Sequence, residues 1–436
     1  MTQTSRVSTF ASGTPDRPYD DEDISSRAFW ATDMFEREKT FSRLRDRDTI
    51  TWHPAPDDQV FEDPEDYGFW AITKYDDLVE VTKRHDDFLS GPGILMENLP
   101  ADFIEAAQSF IGMDPPRHTT LRRLVAAAFT PKQMRRIDEM IQGNAASAVK
   151  NLCAKAEAGG GEADFVAECA GLMPMNNIND MMDVPAGERE EAAHQTAIAM
   201  SWNDPDVVGH TKDEVINSLM TANGYCHQLA SRLAAERRER PGSDLISALS
   251  QAEVEGERLT DFEIGAFFVL LTVAGNDTTR QSTSHGLKAL VDHPEQRAWL
   301  LEDLEGRMST AVEELVRWAT PIATFRRTAA RNMDFRGRRI TAGDKVVLFF
   351  SSANRDATRF DRPNELDLSR RPNPHITFGG GGIHHCLGNQ LARTQLRAMF
   401  TELLTQAPQI SVGEPVLTPS NFFNIVKRMP AHPTGR

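Results

Sequence analysis

Cysteine is scarce in this chain, four in 436 residues, and Cys153, Cys169, Cys226 and Cys386 form no Cys-x-x-Cys pair. That spacing excludes a disulfide framework, a zinc ribbon and a cysteine-rich iron–sulfur cluster, and it suits a reducing compartment. The N-terminus lacks a long apolar run and instead carries the acidic stretch Asp20-Asp-Glu-Asp23. The expectation is therefore a cytoplasmic protein with neither signal peptide nor membrane anchor. Basic residues are outnumbered, 48 Lys and Arg against 64 Asp and Glu, and a net charge of −16 argues against a nucleic-acid partner. Internal repeats and Pro/Gly/Ser-rich linkers are also missing. Although the chain exceeds the usual single-core size, this favours a flexible arm over residues 1–25 followed by one domain over residues 26–436.

What is present begins with Phe378-Gly-Gly-Gly-Gly-Ile-His-His-Cys-Leu-Gly388, a glycine-rich loop that delivers one cysteine to the start of an apolar helical run. A thiol there lies beside unpaired N–H groups and the positive end of the helix dipole, which favours its thiolate. Glycines before it let the backbone approach something flat and large. A thiolate with no second cysteine nearby points to haem iron as its partner. The alternative is a turn ending in a buried structural cysteine.

Upstream, Thr260-Asp-Phe-Glu263 reads as a capping box. A proline-free run from there to His293-Pro294 predicts a helix of roughly 45 to 50 Å, apolar on nearly every face around residues 267–273 and hence buried. Inside it stands Ala274-Gly-Asn-Asp-Thr-Thr279. Gly275 costs about 1 kcal/mol in a helix interior, and Asp277 is expensive to bury unpaired. A small face packed on a flat cofactor, with an acid and an alcohol to relay protons, accounts for both. Elsewhere residues 69–75 read as a strand leading into a helix, residues 90–112 as a long loop, and residues 118–141 as helix interrupted at Thr130-Pro131. Residues 186–202 and 213–239 read as a helix pair, and residues 339–350 as a strand. Helix dominates over a minor β part.

These segments resemble, in order, the motifs of the cytochromes P-450. The cysteine loop is similar to the family pattern Phe-Gly-x-Gly-x-His-x-Cys-x-Gly with one extra residue between Phe378 and Cys386, a lengthening also found in some actinobacterial lipid- and steroid-oxidising members. The resemblance, from about residue 69 onward, implies the mainly α fold of that family with a large helical part and a small β-rich region. It implies haem b, iron protoporphyrin IX, with Cys386 as iron ligand and Phe378, Gly379 and Gly388 around it. Ala274 and Gly275 would pack on the haem, and Asp277 and Thr278 would carry protons to bound oxygen.

Haem propionates would be met by His118 and Arg122, by His384, and by Arg327, preferred over Arg326 from its spacing to Ala329. Glu314-Leu-Val-Arg317 matches the family's buried Glu-x-x-Arg, whose second arginine is one of Arg362, Arg370 and Arg371. The implied reaction is monooxygenation of a hydrophobic substrate, a lipid, steroid or terpenoid, using O₂. No flavin or dinucleotide fingerprint follows a strand. Electrons would come from a ferredoxin and its NAD(P)H-dependent reductase, with Arg122, Arg123, Arg393 and Arg397 as docking contacts. A peroxide-driven peroxygenase or a non-catalytic haem-thiolate sensor or carrier are the alternatives. The substrate pocket is expected from residues 90–112, the 186–240 helix pair, the helix face before Ala274, residues 321–325, and residues 421–424, with Ile94, Leu95, Ile322, Phe422 and Phe423 as apolar lining.

Overall fold

Thr260 Oγ1 accepts the Glu263 N–H at 3.2 Å while the Glu263 carboxylate accepts the Thr260 N–H at 2.9 Å, so the expected capping box opens the helix Asp261–Asp292. Its 32 residues span roughly 48 Å. It packs against the helices Lys212–Glu239, Leu304–Ala319, Leu172–Met181 and Asn389–Gln406, burying Ile264, Phe267, Phe268, Leu287 and Leu290 in the main core. Close contact is bought by glycine: a Cβ at Gly286 would meet Phe400 at 2.5 Å. That contact seats the helix Asn389–Gln406, and with it the cysteine loop just before it, against the long helix.

The computed structural model describes residues 17–435 apart from residues 58, 62, 101–109 and 203. Residues 118–141 resolve into the helices Arg117–Ala128 and Pro131–Ala158. The break is where expected, with Thr130 Oγ1 accepting from the Gln133 N–H and Pro131 taking the first-turn position that needs no N–H. The helix pair is Arg189–Met200 and Lys212–Glu239, with the short helix Pro205–Val208 between.

A five-stranded sheet runs Thr51–His53, Phe69–Ile72, Lys345–Phe349, Thr324–Ala329, Phe88–Leu89. Alternation along Thr324–Ala329 sends Arg326 and Arg327 to opposite faces. The single strand expected over residues 339–350 is two: Arg338–Ile340 pairs with Met333–Phe335, and Lys345–Phe349 joins the large sheet. Asp344 separates them, its carboxylate accepting from the Thr341 N–H at 2.8 Å and closing a turn.

Residues 1–16 of the expected arm lie outside the described residues. Residues 17–25 are not an arm but part of the packed structure. Arg17 donates to Asp344 at 2.9 Å and lies over the rings of Trp52 and Trp70, and Ile24 is fully buried. The acidic composition concealed this, because Arg17 is anchored by a partner far along the chain.

Candidate haem site and its acid–alcohol pair

The cysteine loop is shaped by its glycines. Gly379, Gly380 and Gly381 have φ of 104°, 62° and 87°, the left-handed region that side chains avoid. Gly382 lies so close to the helix Tyr75–Lys83 that a Cβ would sit 1.9 Å from the Thr82 carbonyl oxygen. The chain then turns back, and the Cys386 N–H donates to the Phe378 carbonyl at 2.8 Å. Arg393 lies over the Phe378 ring, 4.3 Å from its centroid.

Burial pushes the Cys386 thiol up, opposed by the Gly388 N–H and the charges of Arg122 and Arg393. The helix itself starts only at Asn389, three residues beyond the sulfur, so its N-terminal dipole lies further from the thiol than the sequence suggested. A metal cation at the sulfur reverses that balance, since coordination deprotonates a thiol outright. Gly388 faces open space, with nothing within 4 Å of an added Cβ.

Next to the loop is a cluster of cationic and imidazole groups with little negative charge. The His118 and His384 rings lie 4.3 Å apart. Both His118 nitrogens are buried without a partner, and His384 Nε2 bonds Ser90 Oγ at 3.0 Å. Arg327 is buried, and its hydrogen bond goes to the carbonyl of its own neighbour Arg326 at 2.8 Å. It lines a cleft with His384, Gly379, Gly382 and Phe325. Burial, then the charges of Arg327, His118 and Arg122, holds His384 down to about 2, and burial brings Arg327 down to about 10. The nearby carboxylate, Asp114, is engaged by the Ser90 and Gly91 N–H groups at 2.8 and 2.9 Å. The unpartnered His118 imidazole and the buried Arg327 guanidinium call for an anion from outside the chain. Two carboxylates close to a lone cysteine are what haem b supplies, and the residues present fit that group. Arg122 departs from the expectation in part: its Nη2 donates to the His385 carbonyl at 2.6 Å, tying the helix Arg117–Ala128 to the loop. Arg326, on the opposite face, instead holds Asn98 and the Glu97 carbonyl.

On the long helix, Phe267, Ala274 and Thr278 share a face at i, i+7 and i+11. Phe110 stacks on Phe267 at 6.3 Å and meets His118 edge-on at 6.1 Å, so this face looks toward the imidazole cluster. The Thr278 hydroxyl donates to the Ala274 carbonyl at 2.6 Å. Gly275 lies elsewhere: an added Cβ would contact Ile178 at 3.6 Å, which turns it toward the helix Leu172–Met181. Asp277 is also off this face, buried, with Oδ1 bound by Arg280 and by Gln281 Nε2 at 3.0 Å. Arg280 and Gln281 carry no motif signal, but their i+3 and i+4 spacing from Asp277 on one helix could have pointed to them; only the bond from Val426 to Gln281 is tertiary.

Beneath the loop, Glu314, Arg317 and Arg370 form a buried network, with Arg317 at 2.7 and 2.8 Å and Arg370 at 3.1 and 3.2 Å from the carboxylate. Among the three candidates for the second arginine the structure selects Arg370; Arg362 bonds Glu365 and Arg371 bonds Thr310. The four arginines expected to face a redox protein all have internal partners: Arg122 as above, Arg123 with Glu255, Arg393 with Glu313, and Arg397 with Thr394.

An aromatic wall forms where the residue 321–325 and 421–424 segments meet the helix pair. Trp202 lies 5.8 Å from both Phe422 and Phe423, and Phe325 is 5.2 Å from Phe422. Ile322 bridges to Phe423. Lys427 reaches Asp204 at 2.8 Å and Asp206 at 2.7 Å, fastening the C-terminal strands to the connection that carries Trp202. Of the expected loop lining, residues 101–109, including Phe103, lie outside the described residues. No helix among the described residues is long and apolar enough to cross a membrane.

A lone cysteine on a glycine loop, a buried guanidinium and an unpartnered imidazole beside it, and a long helix bearing an acid and an alcohol fit a haem-thiolate oxygenase. The family model for cytochrome P450 matches residues 65–406, and the chain belongs to that family. It is 40% identical over 427 residues, 97% of this chain and 98% of the relative, to a methyl-branched lipid omega-hydroxylase of Mycobacterium tuberculosis. A steroid C26-monooxygenase of Rhodococcus jostii is 34% identical over 394 residues, covering 89% of this chain and 80% of the relative. Among solved structures, Mycobacterium marinum cytochrome P450 CYP268A2 in complex with pseudoionone superposes with TM-score 0.89 at 53% identity, covering 96% of this chain and 100% of that one. The protein is a cytochrome P450 monooxygenase that uses haem b.

Proposed function

We propose that this chain hydroxylates an apolar, methyl-branched lipid or isoprenoid chain at or near its end, with electrons from a ferredoxin served by an NAD(P)H-dependent reductase. The observation carrying the substrate is the wall of Trp202, Phe325, Phe422 and Phe423. Rigid aromatic faces bind a branched apolar chain with little entropy to lose and offer no charge to a polar one. The names of the relatives, a methyl-branched lipid omega-hydroxylase and a steroid C26-monooxygenase, support a lipid.

In this reading Cys386 would ligate the iron, and His118, His384 and Arg327 would hold the propionates. When bound, the haem supplies activation of O₂, one atom entering the substrate and the other leaving as water with two electrons and two protons. The chain's residues govern the protons and the position of the substrate. Asp277 is the ionisable group, and Thr278 is the hydroxyl on the haem-facing side of the helix. The aromatic wall and the Lys427 clamp orient the substrate and exclude water that would divert protons.

The test is a spectral titration of the Soret band with branched fatty acids, acyclic isoprenoids and steroids, followed by reconstituted turnover and mass-spectrometric location of the new hydroxyl. Terminal oxidation of the branched chains is expected. Binding and turnover confined to polar or short substrates would overturn the assignment.

A further inference from the structure

Gln281 sits one turn beyond Asp277 and is fully buried. Its side-chain amide is held at both ends. Oε1 accepts the Val426 N–H at 2.8 Å, and Nε2 donates to Asp277 Oδ1 at 3.0 Å. Val426 belongs to the strand Ile425–Arg428, so the amide bridges the C-terminal strands to the long helix.

This arrangement has one workable orientation. A flipped amide would set its NH₂ against the Val426 N–H and its oxygen against a carboxylate, two repulsions in place of two hydrogen bonds. Gln281 therefore acts as a donor toward Asp277. The same Oδ1 also receives the Arg280 guanidinium. Asp277 Oδ2, by contrast, is buried with no partner, as is Arg280 Nε. Two donors converge on one oxygen of the carboxylate, and the other is left bare. An unpartnered buried carboxylate oxygen is costly, and a group that takes up and releases a proton needs one such oxygen uncommitted.

The two donors are not equivalent. Arg280 is on a long side chain, 23% exposed, and retains freedom to move. Gln281 is fixed by a backbone N–H from another element. We infer that Gln281 is a positioning residue for the proton relay, setting the rotation of the Asp277 carboxyl so that Oδ2 is the oxygen that carries the proton. This rests on Asp277 being the relay acid, and the experiment separates the two claims.

The variants are Gln281→Met, close in size without hydrogen bonds, and Gln281→Asn, which keeps an amide one methylene too short to reach both partners. They are compared with Asp277→Asn and the Gln281→Met/Asp277→Asn double variant in reconstituted holoenzyme. Asp277→Asn is expected to slow product formation on the order of a hundredfold and to raise the solvent isotope effect. Each Gln281 variant is expected to lose on the order of tenfold with the same rise in isotope effect, and the double variant no more than Asp277→Asn alone. Haem content, the reduced carbon monoxide spectrum and substrate affinity should stay at wild-type values.

Independently of turnover, infrared difference spectra with ¹³C-aspartate labelling, referenced to Asp277→Asn, should show the Asp277 carboxylate band shifted in both Gln281 variants. An unaffected Asp277→Asn enzyme would overturn the relay assignment itself. A slowed Asp277→Asn with multiplicative losses in the double variant, or an unshifted band, would overturn the role of Gln281. Should the methionine variant fail to fold, the asparagine variant carries the same comparison.

Discussion

His118 and His384 meet ring to ring at 4.3 Å, one from the helix Arg117–Ala128 and the other from the loop that carries Cys386. Neither His118 nitrogen has a protein partner, and the hydrogen bond of Arg327 goes to its neighbour's carbonyl, which supports their proposed part in holding the propionates. Replacing His118 or Arg327 by alanine should therefore weaken haem retention before it alters chemistry. Each removes a charge-assisted hydrogen bond of about 1.5–3 kcal/mol, and transfer of haem to apomyoglobin should accelerate. Transfer rates equal to wild type would take these residues out of the haem site.

Cys386→Ala should abolish thiolate ligation. The reduced carbon monoxide complex of the wild type should show the red-shifted Soret band of a thiolate-bound haem, and the variant should lack it. Persistence of the band would assign the ligand elsewhere.

Thr278→Ala should bind substrate and O₂ normally yet release much of the reducing equivalents as hydrogen peroxide. The hydroxyl occupies little volume but is the polar group on the face shared with Ala274 and Phe267. Product formed per NAD(P)H consumed, with peroxide quantified alongside, is the measurement. Unchanged coupling would count against a part for the hydroxyl in the relay.

Acid should destabilise the fold through buried imidazoles. Burial holds His53 and His285 down to about 4, against an ordinary value of 6.5. The unfolded chain thus takes up protons that the folded one refuses, and stability falls as pH drops from 6.5 towards 4. His285 Nε2 is 3.0 Å from the Asn424 carbonyl oxygen, a bond that a glutamine amide could also donate. His285→Gln should flatten the slope of melting temperature between pH 7 and pH 5, and an identical slope would exclude His285 as a contributor.

Breaking the buried Glu314 network should be severe. Arg370→Ala leaves Glu314 and Arg317 fully buried with one cation fewer, at a cost of about 3–5 kcal/mol. The thermal midpoint and the soluble yield should both fall sharply. A midpoint within a degree or two of wild type would mean that Arg317 alone suffices.

Local pattern made the long helix, its capping box, the Thr130-Pro131 break and the cysteine loop readable from the chain, because each is written in neighbouring residues. That Arg326 and Arg327 face opposite ways was readable too, from strand alternation; Arg327 is preferred from its spacing to Ala329, and alternation by itself does not say which of the two faces a haem. What the chain did not disclose depends on distant partners. Gly275 turned out to face Ile178, Gln281 gained its role only through Val426, and Arg370 could be told from Arg362 and Arg371 only by its reach to Glu314. Arg17 looked like part of a polar arm until Asp344 gave it a partner.

The extra residue in the cysteine loop lies on the side of Thr82. From Gly382 to Cys386 the spacing is that of the shorter family pattern, and the added length is taken up by the left-handed run Gly379 to Gly381. The last turn of the helix Tyr75–Lys83 and the loop are therefore matched halves of one joint. A chimera that grafts this loop onto another scaffold must keep a residue without a Cβ at position 382, since any side chain there would run into the carbonyl at position 82.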